Sequence, residues 1–308
     1  MPAYIVRRVF WAIVVLFGVS LFTFLLVFAG PGDPAVALVG ERAGAETIRA
    51  VRIAYGLDQP IYVQYGRYIV HLLQGDLGDS YYFGIPVTEA LFGAFPATVK
   101  LALSIMAASL LIGIPLGVIT ALRANSPLDR GLIVFGLLTI SMPSFLFGLL
   151  LIYFLAFKLG LFPLGGYGDG SISNLALPTL TVALPWGAWY AIILRSNMLD
   201  VMSADYARTA YAKGLQERTV ALRHLLRNAI LPLVTMVGMD LASLLTGIVL
   251  VEQVFNWPGI GWQALKAAQN FDVPMILGSV LFGASLLAGA NLVVDVLYTF
   301  LDPRVRLT

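Results

Sequence analysis

The chain reads as an all-α polytopic membrane protein with six transmembrane helices. Three observations carry that reading. Among its 308 residues 59% are hydrophobic and only 12% charged, where soluble domains carry about 25% charged residues. Mean hydropathy is +0.87. Several apolar runs approach or exceed the roughly 20 residues that a helix needs to cross a bilayer. The net charge of +2 makes no general case for a nucleic-acid partner. With no cysteine and only His71 and His224, disulfides, thiol chemistry, iron–sulfur clusters and thiolate zinc sites are excluded.

The first span is residues 9–29, an unbroken apolar run after Arg7-Arg8. A cleaved secretory leader has a shorter core of about 7–15 residues and a small-residue cleavage site. Phe28-Ala29-Gly30-Pro31 fits such a site poorly, so the span is read as uncleaved. Residues 30–96 change character, with Pro31, Pro34, Pro60, Pro86 and Pro96, charges of both signs and many tyrosines. They are read as a small extracytoplasmic subdomain, with short helices over 43–55 and 60–73 and a turn at Gly75-Asp-Leu-Gly-Asp79.

The core, residues 97–300, supplies five further spans. The second, 97–122, holds Gly113-Ile-Pro-Leu-Gly117, a spacing of small residues that permits close helix approach, and Lys100 near one end can reach water. The third, 131–157, contains Pro143, which predicts a kink. Residues 158–176 are a Gly-rich connection. No GxxxxGK[ST] phosphate loop occurs there or elsewhere in the chain. The fourth span is 177–197, interrupted by Pro185. The fifth is 230–251, followed by a loop over 255–272, and the sixth is 274–300. A short tail, 301–308, follows.

Residues 198–232 are the long polar interval of the second half. Asp205 to Gly214 is rich in helix formers and ends in a glycine suited to a helix C-terminus. Beyond it Leu222, Leu225, Leu226 and Ala229 recur at helical spacing, and Arg218, Arg223 and Arg227 carry charge. This predicts a short helix outside the bilayer, within a loop over 198–229, and then an amphipathic run back in. Six spans put both termini on one side. Twelve of the 19 Lys and Arg residues fall on that side, together with this loop, which places all of them in the cytoplasm.

Acids inside a membrane are costly. Asp240, halfway along the fifth span, shares a helical face with Ser243 and Gly247, with Thr235, Met239 and Thr246 flanking it. Such an arc suits a translocation path; a buried structural hydrogen bond and a proton relay are the other readings of Asp240. Glu252 is expected near the outer interface, where a carboxylate is cheap, anchoring the following loop or contacting substrate on the path. In the sixth span Asn291, Asp295, Tyr298 and Asp302 fall on one stripe with Ala284 and Ala288, which reads as packing and gating. There is no HExxH, no GxSxG and no metal-ligand spacing, so no catalytic centre, metal or cofactor bound by this chain is expected. Membrane-embedded charge is too sparse for the usual proton- or sodium-coupled carrier, and no inverted repeat is evident. An ion-coupled carrier using Asp240 and Asp295 is the alternative to an external energy source received on the cytoplasmic surface.

Arg208-Thr-Ala-Tyr-Ala-Lys-Gly214, with Ile230-Leu-Pro232 downstream, resembles the EAA loop of ABC importer permeases. That loop reads Glu-Ala-Ala, three residues, Gly, then a later Ile/Leu-Pro. Arg208 and Thr209 replace the Glu and first Ala, while Ala210 and Gly214 match. The substitution is similar to the peptide-importer branch, which reads Tyr-x-Arg-Thr-Ala-x-Ala-Lys-Gly-Leu. Further matches to that branch are His224 with Arg227-Asn228, Glu252 with Val254-Phe255 and Pro258-Gly-Ile-Gly261, and Asn291 with Asp295, Tyr298 and Asp302-Pro-Arg304. Near the start, Gly32-Asp33-Pro34, Gly56-Leu-Asp58-x-Pro60 and Gly75-Asp-Leu-Gly78-x-Ser80 match as well. The ordered set covers most of the chain, which resembles DppB-type permease subunits of dipeptide/oligopeptide importers.

The resemblance implies a type I ABC importer permease fold in a bacterial plasma (inner) membrane, surrounded by membrane lipid. It implies a homologous DppC-like second permease, cytoplasmic ATPase subunits that hold ATP and Mg, and an extracytoplasmic substrate-binding protein. The chain itself would have no ATPase activity. Asp205, Ala207, Arg208, Thr209, Ala210, Lys213, Gly214, Leu215 and Arg218 would form a coupling helix docked on an ATPase. Small Ala207, Ala210 and Gly214 would allow close approach, and Arg208, Lys213 and Arg218 would make polar contacts. Peptides are the implied cargo; nickel chelates, glutathione and haem are handled by importers of the same general kind.

Overall fold

The computed structural model describes residues 2–29, 34–39, 43–54 and 56–301, with residues 2–5, 29, 34, 37, 38, 211 and 294–301 described by their backbone. Among the described residues there is no strand, only an isolated antiparallel bridge between Asp79 and Pro86. The helices are α1 Pro2–Ala29, α2 Pro34–Val39, α3 Ala45–Ala54, α4 Ile61–Leu73, α5 Val87–Leu122, α6 Pro127–Ser141 and α7 Ser144–Leu151. They continue as α8 Ile172–Met202, α9 Asp205–Ala212, α10 Glu217–Thr219, α11 Leu226–Ala229, α12 Leu231–Leu245, α13 Val249–Val254, α14 Ile260–Gln269 and α15 Val273–Leu301. Wider π-helical turns extend α7 over Ile152–Lys158 and link α10 to α11 over Val220–Leu225.

Four helices, Val6–Phe28, Val87–Leu122, Ile172–Met202 and Val273–Val293, are long and apolar enough to cross a membrane, and counting each of two bent pairs as one span raises the number to six. The bends have local causes. Ser126 caps α6 by accepting the Asp129 amide at 3.3 Å, with Pro127 in the first turn. At the other end Pro143 pushes Met142 to an extended ψ of 132°, because the residue before proline avoids the helical region. The expected kink in the third span is therefore a corner, with the two arms bent by 107°. The second bend, 53° between Glu217–Ala229 and Leu231–Leu245, falls at Ile230-Leu-Pro232.

Four other expectations are corrected. Helix α5 begins at Val87, ten residues before the expected start of the second span, and runs through Pro96. Helix α8 continues through both Pro178 and Pro185 where an interruption was expected at the latter. Both prolines are buried; in apolar surroundings a helix that loses single backbone bonds leaves fewer polar groups unmet than one that ends. The fifth span, expected continuous to 251, stops at Leu245. Gly247 there has a φ of +100°, and a Cβ on it would sit 2.8 Å from the Gly261 amide. The close pass of the 258–261 segment thus requires glycine. That segment opens α14, in a stretch read from the sequence as loop; Thr98 accepts its Ile260 amide at 2.9 Å.

The chain divides into two compact units, Met1–Thr98 with Leu245–Val249 and Pro258–Thr308, and Val99–Leu244 with Leu250–Trp257. In the first, Phe24 of α1 packs on Val273 and Leu277 of α15, with Tyr65 and Tyr68 of α4 against them. Burial pushes the Tyr68 hydroxyl pKa up to about 12, with Tyr65 adding to it. At the predicted turn, Asp76 accepts the Gly78 amide at 2.8 Å and pairs with an exposed His71 at 3.1 Å. The Gly78 bond, helped by His71, holds the Asp76 carboxyl below its usual range against a smaller opposing push from burial.

Asp272 organises the same unit. It is wholly buried, accepts the Ser80 hydroxyl and the Tyr82 amide at 3.1 Å, and caps α15 through the Met275 amide at 3.3 Å. Asp272→Ala strips a carboxylate from three buried or half-buried donors, so a loss of about 2 kcal/mol is expected. Thermal unfolding in detergent measures it, with Asp272→Asn intermediate.

In the second unit the Gly113/Gly117 spacing does what it predicts. A Cβ on Gly113 would meet the Gly187 carbonyl at 2.8 Å and the Tyr190 Cβ at 2.9 Å, and one on Gly117 would meet the Ala191 carbonyl at 2.9 Å. The backbones of α5 and α8 touch only because those side chains are missing.

Candidate functional site

The polar interval of the second half folds as predicted into a short helix, α9. Its N-terminal turn begins with the Ala204 carbonyl, which accepts the Ala207 and Arg208 amides. Two residues beyond its end Gly214 sits at φ +72°, with open space around the place of a Cβ. This is the left-handed residue that ends many helices.

The orientation of α9 corrects the reading of its small residues. Ala207 and Ala210 are 0% and 5% exposed, packed among Val118, Leu194, Met198, Val220, Leu225 and Ala229. They face the chain's own bundle, so the close approach that they permit is to the 220–225 turn and α8. Asp205, Tyr206, Arg208, Thr209, Ala212, Lys213, Gly214 and Leu215 are exposed. Arg208 lies 4.0 Å from Asp205, and the Thr209 hydroxyl donates to the Asp205 carbonyl at 2.9 Å. Arg218 lines a groove of about 410 Å³ with Val118, Leu122, Arg123, Glu217, Ala221 and Leu222. The result is a helix seated on its own bundle by Ala207 and Ala210 that shows solvent Asp205, Arg208, Thr209 and Lys213.

Asp240 is half-buried on α12 and accepts a hydrogen bond from the Tyr190 hydroxyl of α8 at 2.6 Å. Tyr190 is itself wholly buried. The carboxylate therefore joins two helices. Ser243, one turn on, is exposed, and Thr246 lies just past the helix end. Glu252 is buried within the chain, 0% exposed, and its carbonyl accepts the Trp257 amide at 2.8 Å. Trp257 is buried against Tyr167, ring centroids 4.8 Å apart. In α15 Asn291 is exposed. The side chains of Asp295 and Tyr298 lie outside the described residues, as do Asp302 and the rest of the tail, Tyr55, Gly32 and Asp33.

Sequence reasoning missed an ion pair. Asp129 of α6 is 1% exposed and accepts from Arg195 of α8 through both carboxylate oxygens, the Nη2 contact at 2.7 Å. The Asn125 amide donates to Asp129 at 2.7 Å, with Asn125 at φ +64°. The available signal was Ser126-Pro-Leu-Asp129, a helix N-terminus with an acid in its first turn. Among the described residues no group of three or more His, Cys, Asp or Glu is placed to hold a metal ion.

Apolar helices of spanning length, four or up to six of them, mark a multi-pass membrane protein. The chain belongs to the family of binding-protein-dependent transport system inner membrane components, which matches residues 113–307, and the N-terminal region of that family matches residues 1–102. It is 38% identical to the oligopeptide transport system permease protein AppB of Bacillus subtilis, over 99% of this chain and 100% of AppB. It is 40% identical to the glutathione transport system permease protein GsiC of Salmonella paratyphi A, over 98% of each. In fold it is similar to a chain of a crystal structure of an amino acid ABC transporter with histidines, at a TM-score of 0.52 and 16% identity, covering 69% of this chain and 94% of that one.

Proposed function

We propose that the chain is the permease subunit of an ATP-driven importer for peptides. In this reading it crosses the inner membrane six times with both termini in the cytoplasm. The segment ahead of α5 is extracytoplasmic. A homologous second permease completes the translocation path, separate ATPase subunits hold ATP and Mg, and a substrate-binding protein delivers cargo. The observation that carries the reading is the seating of α9. Ala207 and Ala210 bury one face in the bundle, while Asp205, Arg208, Thr209 and Lys213 face outward. A push on the outer face is passed to the 220–225 turn and α8, on which the two buried alanines are packed. Asp240, Ser243 and Thr246 line the path, with Tyr190 fixing the Asp240 carboxylate. Glu252 belongs to the same path and holds the start of the following turn through its carbonyl's bond to the Trp257 amide, and Asn291, Asp295 and Tyr298 serve the packing and gating of the last helix. The AppB relative favours peptides of several residues, and the GsiC relative favours glutathione as the second reading.

The test is uptake of labelled di-, tri- and oligopeptides and of glutathione into vesicles that hold the reconstituted complex. Uptake is expected to require ATP and the ATPase subunits and to ignore proton and sodium gradients. Gradient-driven uptake without ATP would overturn the reading in favour of an ion-coupled carrier. Gly214→Val adds a β-branched side chain at φ +72°, a strain of about 1–2 kcal/mol confined to the end of α9. Membrane insertion is expected to persist while uptake falls, with Gly214→Asn retaining uptake because asparagine tolerates this conformation.

A further inference from the structure

Helix α12 buries only Leu233, Ala242 and Leu244, and Met239 and Ser243 are exposed on its surface. Asp240 lies nine steps from Leu231, where the helix begins, or about 14 Å along the axis at a rise of about 1.5 Å per residue. A carboxylate that deep in an apolar helix faces a water-filled cavity or the interior of a bundle, not lipid. Its surroundings are one-sided. Tyr190, wholly buried, donates its hydroxyl to Asp240 Oδ2 at 2.6 Å and lies 3.9 Å from the Met106 Sδ of α5, so the phenol is pinned between α5 and α12. Among the described residues no Lys, Arg or His pairs with Asp240 and no second donor reaches it. An ionised carboxylate has about four acceptor sites, and Oδ1 is left for a group that these residues do not provide. One turn back on α8 the half-buried Trp186 stands edge-on to the Tyr190 ring, centroids 6.4 Å apart.

We propose that Asp240 Oδ1 binds the α-ammonium group of a passing peptide, with Tyr190 as the positioning residue that aims the carboxylate. The inference rests on the importer reading and narrows its cargo to molecules with a free, cationic amino group. A neutral donor would leave the carboxylate charge uncompensated, whereas an ammonium brings a positive charge and three N–H donors. The Tyr190 bond fixes the rotation of the carboxylate, so the open oxygen keeps one direction as cargo arrives. It also leaves a single oxygen open, which suits one N–H of a primary ammonium better than the two-pronged grip of a guanidinium. The Trp186 ring beside the phenol offers a face of the kind that attracts a ligand cation.

The test is made on the complex of this chain with its partner permease and ATPase subunits, in bilayer discs and without the binding protein. Tritiated trialanine is bound at equilibrium, and N-acetyl-trialanine competes for the site. The amine form is expected to bind at least about tenfold more tightly, the scale of one hydrogen bond to a charged group. Asp240→Asn separates charge from packing, because its carboxamide oxygen can still accept the Tyr190 hydroxyl. It should bind the two peptides equally and unfold at the temperature of the parent. Tyr190→Phe keeps the charge and loses the aim, so it should reduce the preference without abolishing it, a ratio that a merely structural role would not move. Equal affinity of the two peptides for the parent, no binding of either, or an amine preference that survives Asp240→Asn overturns the proposal. So does loss of the partner permease from the Asp240→Asn complex, which would show that a cation of that subunit occupies Oδ1. Uptake driven by an ion gradient in place of ATP would overturn the importer reading instead, and it is measured separately from this ratio.

Discussion

Asp129→Ala is expected to destabilise the chain by about 3–5 kcal/mol, the cost of leaving one member of a buried ion pair without its partner. Asp129 is 1% exposed and Arg195 18%, so water screens little of the pair, and the guanidinium meets both carboxylate oxygens. Removing the acid strands the Arg195 cation between α6 and α8 and also frees the Asn125 amide, which Asp129 holds at a left-handed corner. The double variant Asp129→Leu/Arg195→Met separates the two contributions. A packed apolar pair of similar volume is often neutral relative to a buried ion pair, so the double variant should regain most of the loss. Thermal unfolding of the purified chain in detergent, compared across the parent, both single variants and the double, gives the result. A single Asp129→Ala variant within about 0.5 kcal/mol of the parent, the range of ordinary surface changes, would show that the pair carries no such weight.

What the sequence made legible, and what it hid, follow from how far each signal reaches along the chain. The first and sixth spans, α3, α4 and the turn at Asp76 are written in local runs and punctuation, and they stand near their predicted bounds. Gly113 and Gly117 announced a close helix contact without naming the partner, and Gly187 and Ala191 of α8 supply it. The errors arise where tertiary contact overrides local pattern. Pro185 reads as a break, yet the helix persists because nothing polar replaces it. The fifth span reads as one apolar run, yet its helix stops at Leu245, where Gly247 lets the start of α14 pass beside it. The Asp129–Arg195 pair joins positions 66 apart, and Asp272 bonds to Ser80 from 192 positions away. No periodicity reports contacts of that separation. In the candidate site, the existence and end of α9 were legible from helix formers and Gly214. Its rotation was not, because Ala207 and Ala210 suit burial in the bundle and approach by a partner equally well.

That rotation makes Ala210→Leu the variant with the largest expected functional effect. Ala210 is 5% exposed and packs among Leu194, Met198, Val220 and Leu225. Three added carbons have nowhere to go, and overpacking of this kind costs about 1–3 kcal/mol. The cheapest relief is to lift or rotate α9 off the bundle, since an eight-residue helix with one face in solvent has few other contacts to lose. The spans remain intact, so insertion and assembly should persist, and the ATPase subunits should still turn over. On the proposed coupling role, what fails is the seating of α9 on the 220–225 turn and α8. Uptake is therefore expected to fall to a small fraction of the parent rate with ATP hydrolysis largely retained. Ala212→Leu is the control: it adds the same side chain to the same helix on its exposed face, where the cost should stay within about 0.5 kcal/mol. If α9 acts through its seating, Ala210→Leu uncouples and Ala212→Leu affects only contact with the partner. Measuring uptake and hydrolysis on the same reconstituted complexes decides it, and coupled transport at the parent ratio in Ala210→Leu would remove α9 from the transmission path.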